Sequence, residues 1–360
     1  MATVVRPATA PAAIAAVDLS ADLGGILLPA PVLTASGCAA NGRELEPYLD
    51  LTALGAVVTK SVMVEPRAGR PTPRMAETPS GMLNSIGLQG PGVDAFLEHD
   101  LPWLVDNDVR VVASIAGGSV AEYVELARRV GGAPGVLGLE VNISCPNVED
   151  RGQVFACDPD AAAAVIGAVA RASRVPVLAK LSPDVTDIVA VARAVIDAGA
   201  VGLALINTLL GMVIDTDTMR PVLGGTTGGL SGPAIRPVAV RCVYQVHAAL
   251  PEVPILGMGG VRSGLDALQL VLAGASAVSV GTATFGDPGA PLRVQRELAQ
   301  ALAERGFVSL ADAVGRAHRP PAGRTRPALP EGPEPTGATG ASSTPAGAAA
   351  PRAADPRSNR

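Results

Sequence analysis

Val136-Leu137-Gly138-Leu139-Glu140-Val141-Asn142-Ile143-Ser144-Cys145-Pro146-Asn147 decides how the chain is read. Its first half is an apolar run with the character of a buried strand, which is expected over Gly138–Ile143. Pro146 stops that strand, because proline has no N–H to give to a ladder. A thiol, Cys145, therefore stands on the first turn beyond a strand end, with Asn142 and Asn147 close by. That is a place for a reactive group aimed at a small ligand.

Working outward, seven further apolar, β-branched runs repeat the pattern: Pro31–Ala35, Ala56–Lys60, Val109–Ser114, Val175–Leu181, Gly202–Asn207, Val253–Gly257 and Ala277–Gly281. Amphipathic segments lie between them, at Val120–Val130, Pro159–Ala172, Val185–Ala198, Pro233–Leu250, Gly264–Ala273 and Pro291–Arg305. In Val185–Ala198, Ile188, Ala192, Val195 and Ile196 recur at helical spacing. Strand–helix alternation implies parallel strands joined by right-handed crossovers. Eight such units predict a (β/α)8 TIM barrel over residues 18–318. A doubly wound sheet is the competing arrangement, but no GxGxxG follows the first strand.

The ends of the chain read differently. Residues 1–17 are Ala/Pro-rich and lack the apolar core of a signal peptide, so they are expected to be a disordered lead-in. Val308–His318 is expected to add one short helix. Residues 319–360 are Pro, Ala, Gly, Ser and Thr with scattered charges, too little apolar surface to offset chain entropy, and are expected to be a disordered tail.

Composition excludes several functions. The formal net charge of −5 argues against a general nucleic-acid binder, which would show a basic stripe. No apolar run of about 18 residues suggests a membrane span. The four cysteines, Cys38, Cys145, Cys157 and Cys242, include no CxxC pair, so neither zinc nor an iron–sulphur cluster is expected on this chain. Reduced thiols in a cytoplasm are the simplest reading. Cys38 and Cys242 are expected to be buried and structural. The histidines, His99, His247 and His318, fall in helices or near the tail and carry no expected catalytic role.

In a barrel, chemistry gathers at the C-terminal strand ends. Each of these ends carries polar residues or glycine. Gly259, Gly260, Gly281 and Thr282 follow strands seven and eight, where backbone N–H groups of this fold often cradle a phosphate; tight turns are the alternative. Lys60 and Lys180 end strands two and five. A lysine there needs a partner, either a structural carboxylate or a ring that becomes negative on reduction. Asn84, Asn142, Asn147 and Asn207 can each donate and accept, which suits a ligand edge bearing both C=O and N–H, although turns and caps also use asparagine. Asn84 is expected in a loop, Gly81–Leu88. The loop from Asn147 to Gln153 is expected to open for substrate and close against water.

Taken together, these strings resemble the dihydroorotate dehydrogenases of class 1, most of all the class 1B catalytic subunit. The carrying motifs are Val58–Lys60, GMLNSIGLQ (Gly81–Gln89), NISCPN (Asn142–Asn147), KLSPDVTD (Lys180–Asp187), INTLLGM (Ile206–Met212), GGLSGPAI (Gly228–Ile235), GMGGV (Gly257–Val261) and VGTA (Val280–Ala283). The resemblance implies FMN-dependent oxidation of dihydroorotate to orotate, in de novo pyrimidine synthesis. It makes Cys145 the base that takes the C5 proton while hydride leaves C6; membrane-bound relatives carry Ser there. Lys60 resembles a contact to both flavin and the substrate carboxylate. Asn84, Ser85, Ile86, Gly87 and Leu88 resemble the substrate loop, and Asn142, Asn207 and Thr208 further substrate contacts. Ser36, Ser61, Asn142, Lys180, Ile206, Gly232, Gly259, Gly260, Gly281 and Thr282 resemble flavin contacts.

One position departs from the pattern: Ser114 stands where such relatives carry Asn, which puts a hydrogen bond to the flavin there in doubt. The resemblance also implies a homodimeric core and a partner subunit with FAD and a [2Fe–2S] cluster, passing electrons to NAD+. A fumarate-linked class 1A enzyme is the nearer alternative. A tRNA dihydrouridine synthase is the further one, disfavoured by the acidic chain, which offers no basic face for RNA.

Overall fold

The structure, a computed structural model, describes residues 17–143 and 158–319. Cys145, Asn147 and Cys157, most of the N-terminal lead-in and the tail from residue 320 lie outside the described residues.

Eight parallel strands form the central sheet: β1 (Val32–Thr34), β2 (Val57–Val58), β3 (Val111–Ile115), β4 (Val136–Asn142), β5 (Val177–Leu181), β6 (Gly202–Leu205), β7 (Ile255–Met258) and β8 (Ala277–Val280). They pair in chain order from β2 to β8, and β8 then pairs with β1. A parallel bridge between Leu33 and Ala56 closes the ring, so the sheet is a (β/α)8 barrel. All eight predicted runs become strands, with boundaries that differ by one or two residues in either direction.

The helices are α1 (Leu101–Asp106), α2 (Val120–Val130), α3 (Pro159–Ala172), α4 (Ile188–Asp197), α5 (Arg236–Ala249), α6 (Gly264–Ala273) and α7 (Ala290–Ala303). Side-chain caps set several starts. Ser119 accepts from the Glu122 N–H, and Asp158, Asp187 and Ser263 do the same work for α3, α4 and α6. The Asp187 cap explains why α4 starts three residues later than its apolar pattern does. Pro233–Ile235 forms a 3-10 turn ahead of α5. Among the described residues, no helix is long and apolar enough to cross a membrane.

Strand periodicity separates two cores. Val111, Ala113, Leu139, Val141, Ala179 and Leu181 face the helices and join the large outer cluster. Leu33, Val58, Val112, Leu178, Ala204 and Leu256 point inward and fill the barrel floor. A hairpin, Ala21–Asp22 paired with Leu27–Leu28, plugs that floor with Leu23, Ile26 and Leu28. Gly138 has no side chain because Ile26 Cδ1 occupies the space a Cβ would need.

At the opposite end, four antiparallel strands lie in the order Leu209–Gly211, Gly228–Ser231, Gly81–Asn84, Met75–Thr78. They come from the loops after β2 and β6. This corrects the expectation that Asn84 lies in a loop: Gly81–Asn84 is a strand, paired through Asn84 with Gly229 and Met75. Its glycine-rich neighbour gives a weak sequence signal for a strand.

The described ends of the chain meet. Asp18 N–H donates to Val308 O at 3.0 Å, and Leu310 N–H donates to Asp18 O at 2.8 Å. Val308–His318 contributes the short helix Leu310–Ala313 and a 3-10 turn, with Leu310 buried.

Ile26→Ala removes a fully buried side chain from the plug and should cost about 2–5 kcal/mol. Urea unfolding checks this: the midpoint should drop with little change in slope.

Candidate active site

The inward positions change character towards the C-terminal ends. On β4 the inner face runs Gly138, Glu140, Asn142, and on β5 it runs Leu178, Lys180. Asn142 lies opposite Lys180 in the register. On β3 and β8 the corresponding inner residues are Ser114 and Ser279, both buried. Above an apolar floor the barrel therefore carries a polar layer.

Lys180 and Glu140 form the charged centre of that layer. Lys180 Nζ lies 3.2 Å from Glu140 Oε1 and donates to Ser36 Oγ at 2.8 Å. Glu140 is fully buried, and its Oε2 has no hydrogen-bond partner among the described residues. Of the two partners open to Lys180 in the sequence, the carboxylate is present. Glu140 had a signal of its own, a lone acidic residue inside an apolar strand, yet sequence reasoning gave it no role.

A hydrogen-bonded chain of side chains crosses the layer. Asn207 Nδ2 donates to Asn142 Oδ1 at 3.2 Å, and Asn142 Nδ2 donates to Ser61 Oγ at 3.4 Å. Ser61 Oγ and Ser114 Oγ share a 2.9 Å hydrogen bond. Ser114 is thus engaged with Ser61. Tyr123, buried on α2, donates its hydroxyl to Asn142 O at 2.8 Å and pins the end of β4. Asn207 Oδ1 accepts from Thr208 N–H, which fixes the Asn207 amide.

A cleft of about 800 Å3, measured to its open mouth, lies at the C-terminal end of the barrel. Of the predicted residues it brings together Ser36, Lys180, Ile206, Asn207, Thr208, Gly232, Gly259, Gly260, Gly281 and Thr282. Gly259 and Gly260 have φ of +124° and +75°. A Cβ on Gly260 would stand 2.6 Å from Arg236 Cβ and 2.9 Å from Gly232 O, so glycine here keeps backbone exposed to the cleft. Arg236 is tied to Asp266 at 2.5 Å, and Asp266 also accepts from Arg262 N–H, which braces this loop. Thr282 Oγ1 donates to Ser231 Oγ at 2.8 Å, joining the end of β8 to the upper sheet.

Lys60, Ser61 and Leu88 line a second, smaller cavity beside the first. Asn142 connects the two through Ser61 and Asn207. Asn84, Ser85, Ile86 and Gly87 line neither. Asn84 Nδ2 donates to Gly229 O at 3.3 Å, and Gly229 packs directly against Thr208, which places this segment at the edge of the cleft. Ser85 Oγ accepts from Arg70 at 3.2 Å.

Cys38 corrects an expectation. It is half-buried and lines the larger cleft, because the chain turns back over the mouth after β1. Burial pushes its thiol pKa up, against the pull of Lys180 and Lys60. Burial pushes the Lys60 ammonium below the ordinary lysine range, opposed by Cys38. Cys242 is buried, as expected. Ser231, Met258, Arg262 and Ser279 also line the cleft; Ser231 and Met258 lie within the GGLSGPAI and GMGGV strings without having been given a role, and Arg262 and Ser279 lie outside the quoted strings.

The donor set fits a phosphorylated, planar heteroaromatic cofactor. Glycine backbone and hydroxyls at one end suit a phosphate. Ile206 and Met258 offer apolar faces, while Lys180 and Ser279, whose buried Oγ has no partner among the described residues, offer polar edges.

Residues 18–302 match the family model described as dihydroorotate dehydrogenase. The chain is 53% identical over 297 residues to the protein named dihydroorotate dehydrogenase B (NAD(+)), catalytic subunit, of Desulforudis audaxviator, covering 82% of this chain and 96% of that one. Proteins of the same name from Geobacter sp. strain M21 and Geobacillus kaustophilus are 50% and 51% identical over 298 residues, covering 83% of this chain and 97% and 95% of theirs.

Gly260→Ala should strain a left-handed position and press on Arg236, costing about 1–3 kcal/mol. Thermal melting should show the loss, and it should persist when the cleft is empty of ligand.

Proposed function

The chain belongs to the dihydroorotate dehydrogenase family, and from that premise we propose that it oxidises (S)-dihydroorotate to orotate with FMN held in the strand-end cleft, in de novo pyrimidine synthesis. The observation that carries this reading is the joining of a glycine-lined anion cradle to the Lys180–Ser36 polar layer at one barrel mouth. The catalytic domain is residues 18–318.

Gly232, Gly259, Gly260, Gly281 and Thr282 would hold the phosphate, and Ser36, Ser61, Lys60, Asn142, Lys180 and Ile206 the ring. When bound, FMN supplies the acceptor for the hydride that leaves C6 of the substrate. Lys60 pairs with the substrate carboxylate. Asn142 and Asn207, fixed by their mutual hydrogen bond, present amide groups to the pyrimidine ring, with Thr208 and the segment Asn84–Leu88 beside them. The strand β4 delivers the chain to Ile143, and Cys145 follows two residues on, in the segment outside the described residues. Its assignment as the base for the C5 proton rests on the NISCPN string and on the thiol, whose ordinary pKa of about 8.5 lies within reach of neutral pH.

The relatives are named as catalytic subunits of NAD(+) enzymes. We assign the same acceptor here, reached through a partner subunit carrying FAD and a [2Fe–2S] cluster, in the cytoplasm and around a homodimeric core. The discriminating experiment bleaches the flavin anaerobically with dihydroorotate. Reoxidation is then followed with fumarate, quinone, or NAD+ with and without the partner. Failure to bleach refutes the activity, and rapid reoxidation by fumarate alone refutes the acceptor.

Cys145→Ala should remove more than 99% of dihydroorotate oxidation, roughly the contribution of a general base, and leave the protein yellow. Turnover near wild type would remove Cys145 from the role.

Lys60 supplies the pH test. Its ammonium is held below the ordinary lysine range, so it discharges earlier as pH rises. The alkaline limb of kcat/KM, which reports the free enzyme, should therefore break below about 10.4. Lys60→Met should abolish that limb and raise KM for dihydroorotate.

A further inference from the structure

We propose that Glu140 sets the reduction potential of the flavin by acting as the fixed counter-ion of Lys180. This inference rests on the flavin reading above and extends it to a residue that reading does not use.

Glu140 is fully buried on the inner face of β4, one inward step below Asn142. The layer beneath it is apolar, built from Leu178, Ala204 and Leu256. An uncharged residue would complete that packing without desolvating a carboxylate. The carboxylate instead meets Lys180 Nζ at 3.2 Å, and Ser36 Oγ accepts from the same ammonium at 2.8 Å. Lys180 is thereby fixed in position at the edge of the cleft. Oε2 of Glu140 is left as an acceptor for an N–H or O–H that the described residues do not supply.

The electrostatic consequence has a definite sign. A lone ammonium favours an electron-rich, reduced ring over the oxidised one. A carboxylate at the ammonium's side turns that monopole into a close dipole, whose field on the ring is weaker. Glu140 thus keeps Lys180 placed while it restrains the pull of Lys180 on electrons. The bound flavin then has a lower potential than Lys180 alone would give, which suits onward transfer to a low-potential acceptor. Glu140 acts through Lys180 and is a positioning residue.

The test uses the FMN holoenzyme and two readouts independent of turnover: equilibration of the flavin with a reference dye, and the dissociation constant of sulfite as a probe of flavin electrophilicity. Glu140→Gln keeps the shape and removes the charge. Its flavin should become easier to reduce than wild type, and sulfite should bind at least tenfold tighter. Glu140→Asp, which retains the charge, should stay within threefold of wild type. An unchanged or lowered potential in Glu140→Gln overturns the proposal.

Should that variant fail to fold or lose FMN, Lys180→Met is compared with Lys180→Met/Glu140→Gln. Removing the uncompensated carboxylate should again tighten sulfite at least tenfold, and equal constants overturn the proposal. A wild-type protein that binds no FMN refutes the functional reading; a wild-type holoenzyme with an unshifted Glu140→Gln variant refutes only the role of Glu140.

Discussion

Eight strands running in one direction put eight C-terminal ends on one rim, and each strand alternates its side chains between the barrel interior and the helices. The site follows from these two constraints. A residue two positions further along an inner face rises one layer towards the mouth. Gly138, Glu140 and Asn142 are successive steps of one such ladder, from the apolar plug up through the polar layer beneath the cleft. A one-residue slip of β4 would send Glu140 into the helix-facing core and Leu139 into the site. The Tyr123 hydroxyl on Asn142 O and the register with β5 hold β4 against such a slip.

Charge inside the barrel is tolerated because it is paired. Lys180 and Glu140 neutralise each other at 3.2 Å, and Ser36 supplies a further partner. Lys60 is placed differently. It sits at the rim of the smaller cavity with its charge disfavoured by burial. The two lysines thus differ: one is neutralised by a carboxylate of the protein itself, and the other lies where a ligand carboxylate would relieve its burial.

The barrel was legible in the sequence because its signal is redundant. Eight apolar runs and the helices between them agree with one another, and an error of two residues at one boundary changes nothing. That Gly259, Gly260 and Gly281 line the cleft was legible because they directly follow apolar strands at the barrel's C-terminal end. The upper sheet was not legible. Its strands, Gly81–Asn84 and Gly228–Ser231, are short and glycine-rich, and they exist only because each finds the other across the mouth. Glu140 and Ser279 were missed for a related reason. Their meaning lies in which residues face them, and that is a property of register, which one strand alone does not specify. Cys38 was misjudged because its exposure depends on the path of the chain after β1.

Asp18 clasps the chain at Val308 and Leu310. During synthesis this clasp forms only when nearly the whole barrel has left the ribosome. β1 likewise has to wait for β8, its neighbour in the ring. The cleft takes Ser36 from the first end and Gly281 and Thr282 from the last. A nascent chain therefore offers no finished cleft, because its walls come together only at closure, when the longest-range contacts are made. Anything that fills the cleft between Ser36 and Thr282 thus bridges the first and last strand ends of a completed ring.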